Sequence, residues 1–171
     1  MPVLRDLDDD QVQPEALFEL SWLPKAPMAS SAKEGPYRRR RRDTAAELPY
    51  VEVNPACLAS LIVTDIDTTD IRELPQALGL PAPSWEVGRR EDVATGHIGY
   101  ALVAPVCLTD AGRRRPVNLL MRIERGICDV LGGDPHYAGR IMKTPSHQGT
   151  TSTHCSTKNS PATSSKNSQQ P

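Results

Sequence analysis

The sequence of 171 residues predicts an α/β (α+β) fold, in which a mixed or antiparallel sheet packs against one long helix. Residues 57–66 and 97–106 are rich in apolar and β-branched side chains and are bounded by polar segments, as is typical of buried strands. Residues 116–132 carry apolar side chains at helical spacing, and the Gly132-Gly133 pair is a typical helix stop. These three segments predict one domain, which the chain length also favours.

Shorter elements are predicted before and between these segments. Residues 14–23 are predicted to form a short amphipathic helix that begins at a proline. Residues 50–53 alternate between polar and apolar side chains, which predicts a strand that Asn54 and Pro55 end. Asp70 is predicted to cap a short helix over residues 70–78.

Three further predictions complete the order of elements. Residues 84–87 are predicted to be extended around Trp85. Thr109 and Asp110 are suitable N-cap residues for the long helix. Residues 134–143 are predicted to be a loop with some extended character.

The two ends of the chain differ from its middle in composition. Residues 1–48 contain five prolines, an acidic first part and a run of arginines, and we expect a loosely ordered arm. Residues 49–147 are predicted to form the folded domain. In residues 148–171, half of the side chains from residue 150 onward are Ser or Thr and none is a large aliphatic or aromatic group, so we expect a disordered low-complexity tail.

Composition excludes several classes of protein. No apolar run approaches the ~18 residues of a membrane span, so no membrane partner is expected. The acidic N-terminus has no apolar stretch typical of a secretory signal, so we expect a cytoplasmic protein. Few aromatic residues argue against nucleic-acid binding mainly by base stacking. The four cysteines lack metal-finger spacing and are expected to be isolated thiols.

A net charge of −1 hides two basic clusters. Residues 38–42 are all arginine, and residues 113–143 hold seven basic residues against three acidic ones. Clustered arginine can contact nucleic-acid phosphates, and a solvated surface is the alternative explanation.

The most informative local pattern is a pair of carboxylates, Asp65 and Asp67, at the end of the first buried strand. Residues two apart in a strand point to the same face, where two like charges repel unless a cation lies between them. Carboxylates suit Mg²⁺ or Mn²⁺, which commonly also hold a nucleotide phosphate. The alternative is an acidic pair that only caps turns at a strand exit.

Two enzyme classes resemble this pattern. In the haloacid-dehalogenase phosphatase group an apolar strand precedes Asp-x-Asp-x-Thr, which residues 65–69 match, but that fold also needs a later lysine and a later acidic pair. In primase–polymerases of the archaeal–eukaryotic primase type, Asp-x-Asp is followed by a small residue, any residue and His, and then by a later acid. Asp65 and Asp67, the Thr95-Gly96-His97 triplet and Asp134 occur here in that order.

Residues 50–147 resemble the Replicase family of plasmid replication initiators, which is typified by the Rep proteins of small theta-replicating colicin plasmids. Six blocks of motifs occur in the family's order: VNP at 53–55 and DID at 65–67, LPAPSW at 80–85, TGH at 95–97 with YAL at 100–102, PVCLTDA at 105–111, ER at 124–125 with LGGDPHYAG at 131–139, and KTPSH at 143–147.

This resemblance implies a primase that recognises its plasmid origin DNA and synthesises a short primer from nucleotides, which the host DNA polymerase then extends. It implies that Asp65 and Asp67 hold catalytic Mg²⁺ or Mn²⁺, with Asp134 as a possible third ligand. It also implies that His97 contacts the nucleotide's phosphates. Arg140 and Lys143 are candidates for phosphate or template contact, and loop charges in solvent are the alternative.

The sequence departs from the family pattern at three places. The second histidine of Gly-His-x-His is Gly99, the family's Lys-Asn-Pro reads Lys143-Thr144-Pro145, and after His147 a Ser/Thr-rich stretch replaces the expected tryptophan and helical region. We therefore expect a truncated copy that lacks most of its origin-specific DNA binding. A non-catalytic DNA-binding initiator or regulator and a phosphatase remain the alternatives.

Overall fold

The computed structural model describes residues 23–67, 71, 74–89, 95–145, 147 and 150–154. In chain order, its elements are β1 (Met28–Ser30), β2 (Arg38–Arg39), α1 (Arg42–Ala46), β3 (Tyr50–Glu52), β4 (Leu58–Ile66), α2 (Leu74–Ala77), β5 (Trp85–Arg89), β6 (Gly96–Cys107), α3 (Arg114–Leu131), β7 (Ile141–Lys143) and β8 (Thr150–His154). Of the helix predicted over residues 14–23, all but residue 23 lies outside the described residues, and so does the cap Asp70.

The described strands form two antiparallel sheets. The first sheet has the order β2-β1-β3-β7 and the second has the order β4-β6-β5-β8. The predicted strands over residues 50–53, 57–66, 84–87 and 97–106 are confirmed as β3, β4, β5 and β6. Within the part of the chain that the structure describes, no helix is long and apolar enough to cross a membrane.

The second sheet lies between the first sheet and α3, because the side chains of β4 point alternately to its two faces. Leu61 and Val63 pack in one core with Val51 and Met142 of the first sheet. Ile62 and Ile66 point the opposite way, and each packs in a core that contains a leucine of α3. Since side chains alternate along a strand, Asp65 shares the face of Leu61 and Val63. Asp65 therefore points toward the first sheet.

Asn54 fixes the chain between the two sheets. Its side-chain amide donates hydrogen bonds to the carbonyl oxygens of Leu61 and Gly139, both at 2.8 Å. Its Oδ1 accepts from the backbone N–H of Ser60 at 2.8 Å and of Leu61 at 3.1 Å. These bonds satisfy a buried side chain and tie the start of β4 to the loop before β7.

The expected arm is partly folded. Strands β1 and β2 and helix α1 all lie within residues 23–48, and Leu23, Ala45 and Ala46 are buried in the core between the sheets. The expectation of a loosely ordered arm is therefore wrong for this part. Its buried apolar residues pack in one core with residues of both sheets, among them Val51 of β3 and Leu61 of β4.

The expected tail also begins with a strand. Thr150–His154 forms β8, which pairs antiparallel with β5 from Trp85 to Arg89. The expectation of disorder is wrong for these five residues. An open sheet edge binds a neighbouring backbone through N–H and C=O groups, so a segment without large apolar side chains can still pair with it. The rest of the expected tail lies outside the described residues.

The long helix begins two residues before residue 116 but after the predicted cap residues, and its cap differs from the predicted one. Helix α3 starts at Arg114, and its N-cap is Arg113, which makes no side-chain capping hydrogen bond. Thr109 and Asp110 lie in a preceding turn, in which the N–H of Gly112 donates to the carbonyl oxygen of Thr109 at 2.8 Å. The predicted stop is confirmed, because Gly132 ends the helix with a φ of 66°.

Candidate active site between the two sheets

Asp65 and His97 are direct partners across β4 and β6. Both residues are buried, and Nε2 of His97 lies 3.4 Å from Oδ1 of Asp65. On the other side of the ring, Nδ1 accepts a hydrogen bond from the backbone N–H of Lys143 at 3.3 Å. Because Nδ1 is the acceptor, the proton of the neutral ring sits on Nε2 and faces the carboxylate.

Burial shifts the pKa of both groups in the direction of the neutral form. The pKa of His97 is lowered to about 3, first by burial and then by the ammonium groups of Lys143 and Lys33. The pKa of Asp65 is raised, first by burial and then by the negative charge of Asp67, while the same two lysines act against this rise. At neutral pH His97 is therefore neutral, and burial together with the charge of Asp67 makes the ionised form of Asp65 more costly than in water.

A cavity of about 360 Å³ opens beside this pair. Its lining includes both carboxylates, two ammonium groups and three tyrosines: Asp65, Asp67, Lys33, Lys143, Tyr37, Tyr50 and Tyr137. Nζ of Lys33 lies 3.7 Å from Oδ2 of Asp65. Nζ of Lys143 donates to the carbonyl oxygen of Thr95 at 3.0 Å. The cavity thus combines oxygen ligands for a cation with positive groups for an anion.

The two aspartates fit a divalent cation that shares its coordination with a substrate. Mg²⁺ is usually held by one or two carboxylates together with phosphate oxygens and water, rather than by a closed protein cage. Among the described residues, no group of three or more His, Cys, Asp or Glu side chains could hold a metal ion. The negative charge of Asp67 raises the pKa of Asp65, so a cation held by both carboxylates would relieve this repulsion, and phosphate oxygens would complete its shell.

Asp134 lines a different cavity, of about 200 Å³, beside α3. Its Oδ1 accepts a hydrogen bond from the backbone N–H of His136 at 2.8 Å. Its own backbone N–H donates to the carbonyl oxygen of Asp65 at 3.0 Å. Asp134 therefore supports the end of β4 through its backbone, and its role as a third metal ligand stays a prediction.

The two basic candidates lie in different surroundings. Lys143 lines the cavity of Asp65, as described above. The guanidinium of Arg140 donates to Oε1 of the buried Glu52 at 2.8 Å and to the carbonyl oxygen of Asn54 at 3.3 Å. Arg140 thus compensates a buried carboxylate, which is a structural task, and its contact with phosphate or template stays a prediction.

The arginine run is divided among several elements. Arg38 and Arg39 form β2, Arg42 begins α1, and NH1 of Arg39 donates to the carbonyl oxygen of Ala26 at 2.8 Å. The residues from 38 to 41 are exposed. The run therefore presents cations at the surface without entering the cavity of Asp65.

Sequence reasoning missed Lys33 and Tyr37. Both follow β1 in the segment that leads to β2, and the hydroxyl of Tyr37 donates to the carbonyl oxygen of Lys33 at 2.7 Å. They reach the cavity because β1 pairs with β3 of the first sheet. No local pattern around Lys33 indicates this placement, since it depends on pairing between distant strands.

Comparison with known proteins gives one family and one fold. The sequence model of the Replicase family matches residues 22–163. Among solved structures, the chain is similar to the AEP domain of the primase-polymerase (PrimPol) of cyanophage S-2L, with a TM-score of 0.51 and 13% sequence identity over 77% of this chain and 80% of that one. At this identity the likeness concerns the fold, and it confirms the predicted primase–polymerase-like α+β architecture. No curated protein matches the chain.

Proposed function

The chain belongs to the Replicase family, and on that premise we propose that it is a plasmid replication initiator with primase activity. In this proposal it synthesises a short primer at the plasmid origin, and the host DNA polymerase extends that primer. One observation carries the proposal: the buried Asp65 and its neighbour Asp67 line one cavity together with two lysines. Its volume lies within the range of small-molecule sites.

Asp65 and Asp67 would hold Mg²⁺ or Mn²⁺ in this site. When bound, the cation would neutralise charge on the phosphates of an incoming nucleotide and lower the pKa of an attacking hydroxyl. The chain itself supplies two carboxylates at the end of a strand whose register is continuous from Leu61 to Ile66. This pairing holds Asp65 in place before the substrate arrives, which reduces the cost of ordering it.

We expect Lys143 to bind the nucleotide's phosphates. Its ammonium lines the cavity and is anchored to Thr95, at the start of the strand that carries His97. A fixed positive charge near the aspartates would favour a triphosphate over a neutral ligand. Arg140 is less suited to this task, because its guanidinium is engaged with Glu52.

The geometry favours a positioning role for His97 over the phosphate contact that the resemblance implies. Nδ1 accepts from the backbone of Lys143, and the N–H at Nε2 faces Asp65. A neutral ring between these two groups orients the carboxylate and keeps it from turning away from the cavity. His97 would thus act through Asp65.

Primer synthesis tests the proposal directly. Purified protein is incubated with labelled ribonucleotides, Mg²⁺ or Mn²⁺ and single-stranded template, beside Asp65→Asn, Asp67→Asn and the control Asp129→Asn. Asp129 is an exposed residue of α3 that pairs with Arg125, so it removes the same charge away from the cavity. We expect short products from the wild type and the control, and a loss of at least about a hundredfold in the other two variants.

Other outcomes separate the alternatives. Folded protein that makes no primer but binds origin DNA would favour the non-catalytic initiator or regulator. Release of phosphate from small phosphoesters without DNA would favour the phosphatase. Equal primer synthesis by Asp67→Asn and the wild type would overturn the role of the acidic pair.

A further inference from the structure

The two oxygens of the Asp65 carboxylate have different partners. Oδ1 faces Nε2 of His97 at 3.4 Å, inside the protein. Oδ2 faces Nζ of Lys33 at 3.7 Å. The Asp65 side chain is 6% exposed, whereas that of Lys33 is 61% exposed. One oxygen is therefore held by the core, and the other meets a cation that reaches in from the surface.

The Lys33 ammonium can leave this position at low cost. A distance of 3.7 Å exceeds that of a hydrogen bond, so the contact is one of charge alone. The lysine stem has four rotatable carbons, and most of it lies in solvent. The backbone below it is held in place, because Tyr37 donates to the carbonyl oxygen of Lys33 and Gly35 donates to that of Ala32 at 3.1 Å. The charged group can therefore move while its attachment point stays.

A divalent cation and the ammonium of Lys33 would compete for the same oxygen. Asp65 lies beside a second negative charge, Asp67, and both line the cavity that Lys33 also lines. We propose that Lys33 is a built-in counter-ion of Asp65, which a divalent cation displaces and which then binds the phosphates of the incoming nucleotide. This inference rests on the proposed function, because it concerns the metal and substrate of the same site.

The proposal predicts coupling between the two ligands. Without nucleotide, Lys33 opposes metal binding, because it occupies the oxygen that the metal needs. With metal bound, the released ammonium remains within reach of the cavity, where a triphosphate brings negative charge. Lys33 therefore weakens the binding of the metal in the absence of nucleotide and strengthens the binding of the nucleotide once the metal is bound.

Binding measurements on the full chain test this coupling. Mn²⁺ binding without nucleotide is followed by electron paramagnetic resonance in the wild type, Lys33→Met and Lys33→Gln. At saturating Mn²⁺, the affinity for a non-reactive α,β-methylene analogue of ATP is then measured. Lys25→Met is the matched control, since Lys25 is an exposed lysine of the same arm that does not line the cavity of Asp65.

We expect both Lys33 variants to bind Mn²⁺ about two- to fivefold more tightly than the wild type, which is the size of an exposed ion pair. The same variants should bind the ATP analogue about two- to fivefold more weakly at saturating Mn²⁺. Lys25→Met should change neither affinity. In the wild type, Mn²⁺ should also raise the acetylation of Lys33 by a small reagent, and the analogue should lower it again.

Two results would overturn the inference. One is a Mn²⁺ affinity that stays the same or weakens when Lys33 is replaced, and the other is an equal change in Lys25→Met. Asp65→Asn separates this failure from that of the proposed function. If Mn²⁺ binding depends on Asp65 but not on Lys33, only the present inference fails. If no Asp65-dependent Mn²⁺ binding occurs, both fail.

Discussion

Nε2 of His97 lies 3.4 Å from Oδ1 of Asp65, and the two residues are partners across adjacent strands of the second sheet. The same ring accepts a hydrogen bond from the backbone of Lys143, which belongs to β7 in the first sheet. His97 therefore links the carboxylate to both sheets. The orientation of Asp65 depends on how the sheets pack, and not only on the strand that carries it.

His97 should make the metal-free protein sensitive to mild acid. Its pKa is about 3 in the native state because it is buried, against about 6.5 in an unfolded chain. Below pH 6.5 His97 therefore binds a proton in the unfolded state but not in the native state. The contribution of His97 to the free energy of unfolding is complete above pH 6.5 and is lost as the pH falls toward 3. Between pH 7.5 and 5.5 the loss from this residue should be about 1.4 kcal/mol.

Urea unfolding of the wild type and His97→Gln at these two pH values isolates the effect, because other titrating groups are common to both proteins. The variant should lose about 1.4 kcal/mol less than the wild type over this interval. An equal loss in both proteins would mean that the native state protonates His97 without difficulty.

Asp65→Asn should stabilise the metal-free protein while it abolishes activity. Burial and the charge of Asp67 raise the pKa of Asp65, so its ionised form costs stability above that pKa. A neutral amide of the same shape removes this cost, and we expect a higher free energy of unfolding at pH 7.5 in the presence of a chelator. The gain should shrink as the pH falls through the pKa of Asp65.

The free energy of unfolding from urea titrations measures this difference, with Asp129→Asn as the surface control, which should stay within ~0.5 kcal/mol of the wild type. A clear loss of stability in Asp65→Asn would show that the attraction to Lys33 outweighs burial and repulsion. A stable but inactive variant is the signature of a site that trades stability for function.

Arg140→Met should destabilise the fold. Glu52 is 3% exposed, and it accepts from Arg140 at 2.8 Å and from the backbone N–H of Met28 at 3.2 Å. Removal of the guanidinium leaves a buried carboxylate with one partner fewer, at a cost of about 2 kcal/mol after allowance for the partial exposure of Arg140. Arg125→Met, in an exposed pair with Asp129, should cost less than about 0.5 kcal/mol.

Thermal or urea unfolding compares these two arginine variants, and template binding is measured alongside. If Arg140 serves mainly to contact DNA, Arg140→Met would weaken template binding and leave stability close to that of the wild type. That result would contradict the structural role and restore the contact that the sequence predicted.

Two glycines should respond in opposite directions to alanine. A Cβ at Gly133 would lie 2.3 Å from Cγ2 of Thr64 and 3.0 Å from the carbonyl oxygen of Asp65. Gly133→Ala should therefore push on the end of β4, cost about 1–3 kcal/mol and lower activity. A Cβ at Gly126 in α3 would meet open space, so Gly126→Ala should stabilise the protein by about 0.5–1 kcal/mol.

Parallel measurements of unfolding and primer synthesis check the glycine pair. If Gly133→Ala is as stable and as active as the wild type, the loop after α3 can move away from β4 without cost. The contact between Gly133 and the end of β4 then does not position Asp65. If Gly126→Ala lowers stability instead, another part of the protein must pack against that face of α3.

The elements that could be predicted share a strong local signal. β4 and β6 are long runs of β-branched and apolar residues, and α3 has helical periodicity with a glycine stop, so each reveals its type within its own sequence. β1, β2 and β8 carry no such signal. They form strands because each pairs with the edge of a neighbouring strand, and a local sequence pattern does not reveal such a partner.

The sequence by itself determined the fold class, the main strands and helix, the family, and the position of Asp65 and Asp67 at the end of a buried strand. Only the tertiary structure decided that Lys33 faces Asp65, that Arg140 neutralises Glu52, and that Asp134 lines another cavity. The reason is physical. Alternation and helical spacing act over a few residues, whereas these contacts join segments that lie far apart in the chain and meet only when the two sheets pack.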